Sequence, residues 1–254
     1  MEIYENIVKL WQSFNVSTES DIDLRLENFR ILFAYNSGKI ENDAVTYHDT
    51  REIFENGRVT GYTGAPRAIF EQENQRMCYE FIKPKLIERE PLSISIIREV
   101  HAVLTSGTYD ERRYVSQGER PGEFKRHDYV VGRTEVGSPP EDVEKDLQAL
   151  IEELNTFDSN NQNDILTAAA YFHARFEYIH PFADGNGRVG RTLLNYFLML
   201  QNHPPLIIYD ENKGDYYAAL ESYDTTEEIA HLRIFLLSQT EKTWRKTLER
   251  NNFV

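Results

Sequence analysis

No other part of this sequence constrains the fold as tightly as the run His180-Pro181-Phe182-Ala183-Asp184-Gly185-Asn186-Gly187-Arg188-Val189-Gly190-Arg191. Behind it, Val189, Leu193, Tyr196, Phe197 and Leu200 recur at helical spacing, which predicts a buried helix starting near Asn186 or Gly187. The Asp-Gly-Asn-Gly segment is then a loop feeding a helix N-terminus. Such a terminus offers unpaired N–H groups and a partial positive charge, and both favour an anion.

Each side chain in the run adds to that chemistry. Glycines lack a Cβ and let oxygens approach the main chain closely. Arg188 and Arg191 stand three apart, share one helix face and can reach one polyanion with guanidinium forks. Asp184 is a hard oxygen donor of the kind Mg²⁺ accepts when phosphates complete its shell. His180 has an ordinary pKa near neutrality and can take a proton from an attacking group. A plain structural turn needs one glycine, not two flanking an Asn and followed by paired arginines. The combination reads as a polyphosphate site with a base beside it.

The run resembles the Fic signature, His-x-Phe-x-(Asp/Glu)-Gly-Asn-Gly-Arg-x-x-Arg, and every specified position matches. Most Fic proteins transfer AMP from ATP to a protein hydroxyl. The resemblance implies His180 as general base, Asp184 as Mg²⁺ ligand, and Gly185, Asn186 and Gly187 as the anion pocket. It implies Arg188 and Arg191 as phosphate holders and Phe182 as an apolar anchor for the loop. Relatives of the Doc type carry Lys at the position of Gly187 and phosphorylate their targets, so glycine here implies AMP transfer.

Far upstream, Ser37-Gly38-Lys39-Ile40-Glu41-Asn42 resembles the Fic inhibitory motif, (Ser/Thr)-x-x-x-Glu-(Gly/Asn). In that motif the glutamate pairs with the second arginine of the signature, here Arg191, and ATP is held in a pose unfit for attack. The resemblance therefore implies autoinhibition by Ser37 and Glu41, from a helix on the N-terminal side of the core. Pro121-Gly122-Glu123-Phe124-Lys125-Arg126 resembles the element preceding the family's flap, with Lys125 where Arg is usual and the register of the charge open between Lys125 and Arg126. The β-branched residues between Tyr129 and Gly137 predict a short hairpin. In Fic enzymes such a flap receives the target segment by strand addition. Tyr216-Tyr217-Ala218-Ala219-Leu220 resembles a stretch near the adenine pocket, with Tyr217 as the residue expected to border the base.

The expected fold is mainly α: a Fic-type helical bundle with a short β-hairpin flap and an N-terminal inhibitory helix. Residues 1–92 are expected to form the helical region carrying the inhibitory motif, and residues 93–254 the catalytic core with C-terminal helices. Helices are expected from Ile94 to Leu104 and from Asp164 to Ile179, with His101 and His173 as satisfied core histidines. Ser138-Pro139-Pro140-Glu141 reads as an N-cap, a first-turn proline and a capping-box glutamate, and Thr225-Thr226-Glu227-Glu228 as the opening of a further helix.

A formal charge of −14 without a basic stripe argues against a nucleic-acid partner. The single cysteine, Cys78, excludes an internal disulfide and a zinc site of the Cys type. There is no basic segment followed by an apolar run at the N-terminus and no long apolar segment elsewhere, so no membrane association is expected and the expected location is cytoplasmic. The expected ligands are ATP and Mg²⁺, with an unidentified protein target and self-modification, and a homo-oligomer is compatible with the resemblance. Two alternatives stand beside AMP transfer: removal of AMP or transfer of another phosphate-linked group on the same site, and a non-catalytic nucleotide sensor.

Overall fold

The computed structural model describes residues 2–131 and 134–251, with backbone alone for 130, 131 and 134–136. The chain is mainly helical. Among the described residues, ten α-helices run in order: α1 Glu2–Ser13, α2 Glu19–Glu41, α3 Tyr47–Asn56, α4 Pro66–Ile87, α5 Ile94–Leu104, α6 Val143–Thr156, α7 Gln162–Ile179, α8 Asn186–Leu200, α9 Lys213–Thr226 and α10 Ala230–Arg250. Between α5 and α6, β1 Tyr129–Val131 pairs antiparallel with β2 Thr134–Val136, in the register Tyr129↔Val136. The connecting residues 132 and 133 lie outside the described residues.

At the centre, α7 packs against α8. Val189, Leu193, Leu194, Tyr196, Phe197 and Leu198 of α8 are all buried, which is the burial expected of a helix that is apolar nearly all round. Ala169, Ala170 and Ala174 of α7 are small enough to admit it closely, while Phe172 and Phe176 fill the space on either side. Farther along α8, the buried amide of Asn195 is satisfied in both directions by the main chain of Leu206, at 2.8 and 2.9 Å. That pairing removes most of the cost of burying an amide.

The N-terminal helices close around this centre. Trp11 of α1 meets Trp244 of α10 edge-on at 5.4 Å between centroids. Tyr4 shares a 3.0 Å hydrogen bond with Nδ1 of His203. Helix α2 begins with a reciprocal capping box between Thr18 and Asp21 and is kinked at Leu26. It crosses α4 at Gly38, where a Cβ would collide with the side chain of Gln72. This close approach brings the last turn of α2, including Ser37 and Glu41, down onto α8.

Two helix starts differ from expectation. Helix α6 begins at Val143, not at Pro139. Pro140 pushes Pro139 out of the helical region, so the chain turns first and the Ser138 hydroxyl donates instead to Asp146 Oδ2 at 2.6 Å. Thr225 and Thr226 close α9 and do not open the next helix. Their hydroxyls donate back to the carbonyls of Glu221 and Ser222 at 2.9 and 2.7 Å, and Glu227 then ends the helix at φ +59°. No helix among the described residues is long and apolar enough to cross a membrane.

Candidate functional site

The loop between α7 and α8 is built to hold one shape. His180 caps α7 in the left-handed region at φ +49°, and Gly185 precedes α8 at φ +84°. Between them, Phe182 is fully buried and stacks face to face on His101 of α5, with centroids 3.6 Å apart. The Asn186 side chain donates to the Phe182 carbonyl at 2.7 Å and accepts from its N–H at 2.9 Å. His101 does more than fill the core. The Gly122 N–H donates to its Nδ1 at 2.8 Å, which leaves its Nε2 proton for the Asp184 carbonyl at 3.0 Å. The loop is thereby pinned from α5, a role that nothing in the sequence around His101 signals.

The first turn of α8 has no side-chain cap. Its N–H groups face a cleft of about 540 Å³ whose lining includes Glu41, Arg67, Glu71, His180, Asp184 and Arg188. Gly187 also borders it, and a Cβ there would collide with Oε1 of Glu41. The glutamate carboxylate therefore lies directly over the helix terminus. Arg191, 1% exposed, donates from Nη2 to Glu41 Oε1 at 2.7 Å and to the Ser37 carbonyl at 2.9 Å, and from Nε to the Ser37 hydroxyl at 3.0 Å. The Ser37–Glu41 turn thus grips the second arginine of the signature from two sides. Nη1 of Arg191 and both Nε and Nη1 of Arg188 are buried donors that make no well-aligned hydrogen bond, although Nη1 of Arg188 lies 3.3 Å from Glu71 Oε1. Buried donors are normally paired, so this cluster is suited to an anion entering the cleft.

His180 is held neutral. Burial pushes its pKa down to about 4, and the positive charge of Lys125 adds to the effect, while the Glu177 carbonyl opposes both by accepting from the ring. Lys125 is the inward member of the Lys125-Arg126 pair, at 2% exposure, whereas Arg126 is exposed and bound to Glu123 at 2.7 Å. The hairpin is rooted on either side of the histidine. The Lys125 N–H donates to the Pro181 carbonyl at 2.9 Å and the Ser138 N–H to the Ile179 carbonyl at 3.0 Å. Buried Glu119 fixes the first strand from below, accepting from the Tyr129 hydroxyl at 2.8 Å and the Arg126 N–H at 3.0 Å.

Asp184 is ionised. Burial works to raise its pKa, but Arg188, Arg67 and Arg113 hold it below the usual carboxylate value. No group of three or more His, Cys, Asp or Glu residues gathers around a common point among the described residues. Asp184 therefore fits a metal only as a single protein ligand, the other oxygens coming from phosphates and water, as Mg²⁺ accepts. Tyr217 is half-exposed on α9 and outside the cleft lining, its ring 5.3 Å from that of Tyr216. Tyr216 is the buried member, sharing a 2.8 Å hydrogen bond with Nε2 of His173. Arg67, Glu71 and Glu119 enter the site from residues with no motif around them.

His101, His173, His180 and His203 all have pKa values pushed down by burial, to about 3, 3, 4 and 4, from an ordinary 6.5. Above pH 6.5 they are neutral in the folded and unfolded chain alike and give no pH dependence. As the pH falls toward 4 the unfolded chain binds protons that the folded chain refuses, so stability falls. Urea unfolding midpoints should decline on acidification from pH 6.5 to 4.5, the four histidines outweighing the one buried carboxyl of Glu177, which burial raises to about 7 and which pulls the other way. A stability that rises between pH 6.5 and 4.5 would contradict these buried neutral rings.

Residues 91–198 match the profile of the Fic/DOC family. The chain is 30% identical over 214 residues to protein adenylyltransferase Fic of Drosophila persimilis, which covers 82% of this chain and 39% of that protein. It is likewise 30% identical over 197 residues to protein adenylyltransferase fic-1 of Caenorhabditis elegans, covering 74% of this chain and 35% of the relative. The chain thus spans less than half the length of these curated relatives. Among solved structures, a Fic-domain-containing signalling protein from Bacteroides thetaiotaomicron superposes with a TM-score of 0.82 at 23% identity, covering 98% of this chain and 96% of that one. Fic-1 from C. elegans superposes with a TM-score of 0.78 at 24% identity, covering 99% and 72%. Signature, fold and sequence similarity agree, and residues 91–198 of the chain are a Fic/DOC family domain.

Proposed function

We propose that this protein is a protein adenylyltransferase that moves AMP from ATP to a Tyr, Thr or Ser hydroxyl of a target protein and of itself, and that Glu41 restrains it. The observation that carries the reading is the set of buried guanidinium donors on Arg188 and Arg191 that make no well-aligned hydrogen bond at the uncapped start of α8, with neutral His180 beside them. The names of the curated relatives support the same chemistry. Dividing the chain into a regulatory region, residues 1–92, and a catalytic region, residues 93–254, belongs to this proposal and is supported by a family match that begins at residue 91.

In this reading the triphosphate lies along Gly185, Asn186 and Gly187, with Arg188 and Arg191 on its β- and γ-phosphates. Mg²⁺ bound to Asp184 and the phosphates would neutralise charge that builds on the leaving group. The target hydroxyl is presented along the hairpin at 130–137, whose roots flank His180. As its oxygen bonds to the α-phosphorus, His180 takes the hydroxyl proton, the α–β bridging P–O bond breaks and pyrophosphate leaves. Most of the acceleration comes from positioning and from donors fixed in advance around the phosphates. Tyr217 would need to turn toward the cleft to border the adenine, since the structure leaves it half-exposed.

Intact mass after incubation with ATP and Mg²⁺ tests the reaction class. An adenylate-sized adduct on the chain supports transfer, and a phosphate-sized shift would replace it by kinase-like chemistry. The carboxylate of Glu41 inside the cleft also favours a second reading, removal of AMP by a water it aligns. Loss of the adduct on transfer to Mg²⁺ without ATP would establish that activity. The pH profile checks the base. With His180 held at about 4, the rate should be level from pH 8 down to about 5 and fall only below that. A midpoint near 6.5 would mean that the base is solvated during turnover or lies elsewhere.

A further inference from the structure

The Asp184 carboxylate already has a cation on it. Arg67, the second residue of α4, donates from Nη2 to Asp184 Oδ2 at 2.6 Å across 117 residues of sequence. Nε of the same guanidinium donates to Glu71 Oε1, one turn further along the helix, at 2.9 Å. Glu71 is almost fully buried, and the same Oε1 lies 3.3 Å from Nη1 of Arg188. Its other oxygen accepts from Nδ2 of Asn42 at 3.3 Å. Asn42 follows Glu41 and caps the C-terminus of α2. A line of polar contacts therefore joins the end of the helix carrying Glu41 to the carboxylate at the mouth of the cleft.

This arrangement exceeds what a surface ion pair needs. Asp184 also has Arg188 Nη2 at 3.7 Å from Oδ1 and Arg113 Nη1 at 4.0 Å from Oδ2. Its charge is compensated without Arg67. A divalent ion coordinates a carboxylate oxygen at about 2.1 Å, using lone pairs that a short guanidinium hydrogen bond already occupies. Two cations at that distance also repel one another. Arg67 has somewhere to go, because its side chain is 39% exposed and the planar guanidinium can leave the carboxylate as a unit.

We propose that Arg67 is the resident counter-cation of Asp184 and that a divalent metal loads onto this carboxylate by exchange with it, with Glu71 and Asn42 coupling that exchange to the end of α2. The inference rests on the proposed role of Asp184 as the metal carboxylate. The end of α2 then has two grips on the site. Glu41 occupies Arg191, which the phosphates need. Asn42, through Glu71, steadies Arg67 over the oxygen that the metal needs. A metal–nucleotide complex brings both the incoming cation and a phosphate able to accept the displaced guanidinium.

The test is Mn²⁺ binding, followed by electron paramagnetic resonance, in the full chain saturated with a non-hydrolysable ATP analogue. Arg67→Gln should bind Mn²⁺ about tenfold more tightly, the scale on which a neighbouring charge shifts a competing equilibrium at a carboxylate. Arg67→Lys keeps a cation and should stay near wild type, and Asp184→Asn should weaken Mn²⁺ binding. Affinity for the analogue without metal, measured alongside, should change less than about twofold in Arg67→Gln, because the proposal concerns the metal position. Unchanged or weaker Mn²⁺ binding in Arg67→Gln would overturn the proposal. So would Asp184→Asn binding Mn²⁺ like wild type. Neither measurement requires group transfer, so a missing adduct would sink the transferase reading alone, and Arg67→Gln binding Mn²⁺ no more tightly than wild type would sink this one alone.

Discussion

Replacing Glu41 with glycine should raise self-adenylylation by about a hundredfold. The magnitude follows from the contact that is removed. Arg191 is buried, and its Nη2 bond to Glu41 at 2.7 Å is the charge-assisted member of its set of contacts to α2. The pair is buried on its arginine side and 35% exposed on its glutamate side, so opening it costs about 3 kcal/mol, the low end for a buried pair, and in the wild type the incoming phosphate must meet that cost itself. Relief of about 3 kcal/mol corresponds to about a hundredfold in rate. The same variant should be less stable without nucleotide, since Arg191 then loses its hydrogen-bonded carboxylate while its bonds to Ser37 remain. Saturating ATP analogue should restore much of its melting temperature by supplying the missing anion. Adduct formation followed by intact mass, together with melting curves with and without analogue, checks both parts. A rate within twofold of wild type would remove Glu41 as the restraint.

Replacing His180 with alanine in the Glu41→Gly background should lower transfer by about a thousandfold, within the range for losing a general base. Affinity for ATP should barely move. His180 sits at the end of α7, one loop away from the phosphate donors, and its ring is positioned by the Glu177 carbonyl and not by Arg188 or Arg191. Quenched-flow rates and nucleotide titrations on the same preparation separate the two effects. Loss of nucleotide binding in step with loss of rate would mean that the histidine supports the loop's shape and leaves proton removal to another group.

The elements easiest to read from the sequence were those whose residues are neighbours in it. The period of Val189, Leu193, Tyr196 and Phe197 marked α8 and its start, because a buried helix repeats its burial every turn. The spacing within His180–Arg191 carried the loop, since Phe182, Asn186 and the helix terminus are bonded within a few residues of one another. The pairing of Glu41 with Arg191 was also foreseeable, though only through the resemblance of a six-residue pattern to a known motif. The starts of α6 and α10 were misplaced because Pro139-Pro140 and Thr225-Thr226 have two local solutions, and packing outside the segment chose between them.

By itself the sequence determined a buried helix with an uncapped, glycine-rich entry, a base and a hard carboxylate before it, and two arginines on its face. Only the tertiary structure decided which charges meet there. Arg67 reaches Asp184, Glu71 reaches Arg188, Asn42 reaches Glu71 and Glu119 holds the root of the hairpin. It also decided that Lys125, and not Arg126, points toward His180, and that Tyr216 is buried while Tyr217 is not. The reason is physical. Helical period and loop chemistry are short-range and written into adjacent residues, whereas the partner of a buried charge is set by how α2, α4 and α5 cross α8, and no local spacing encodes those crossings.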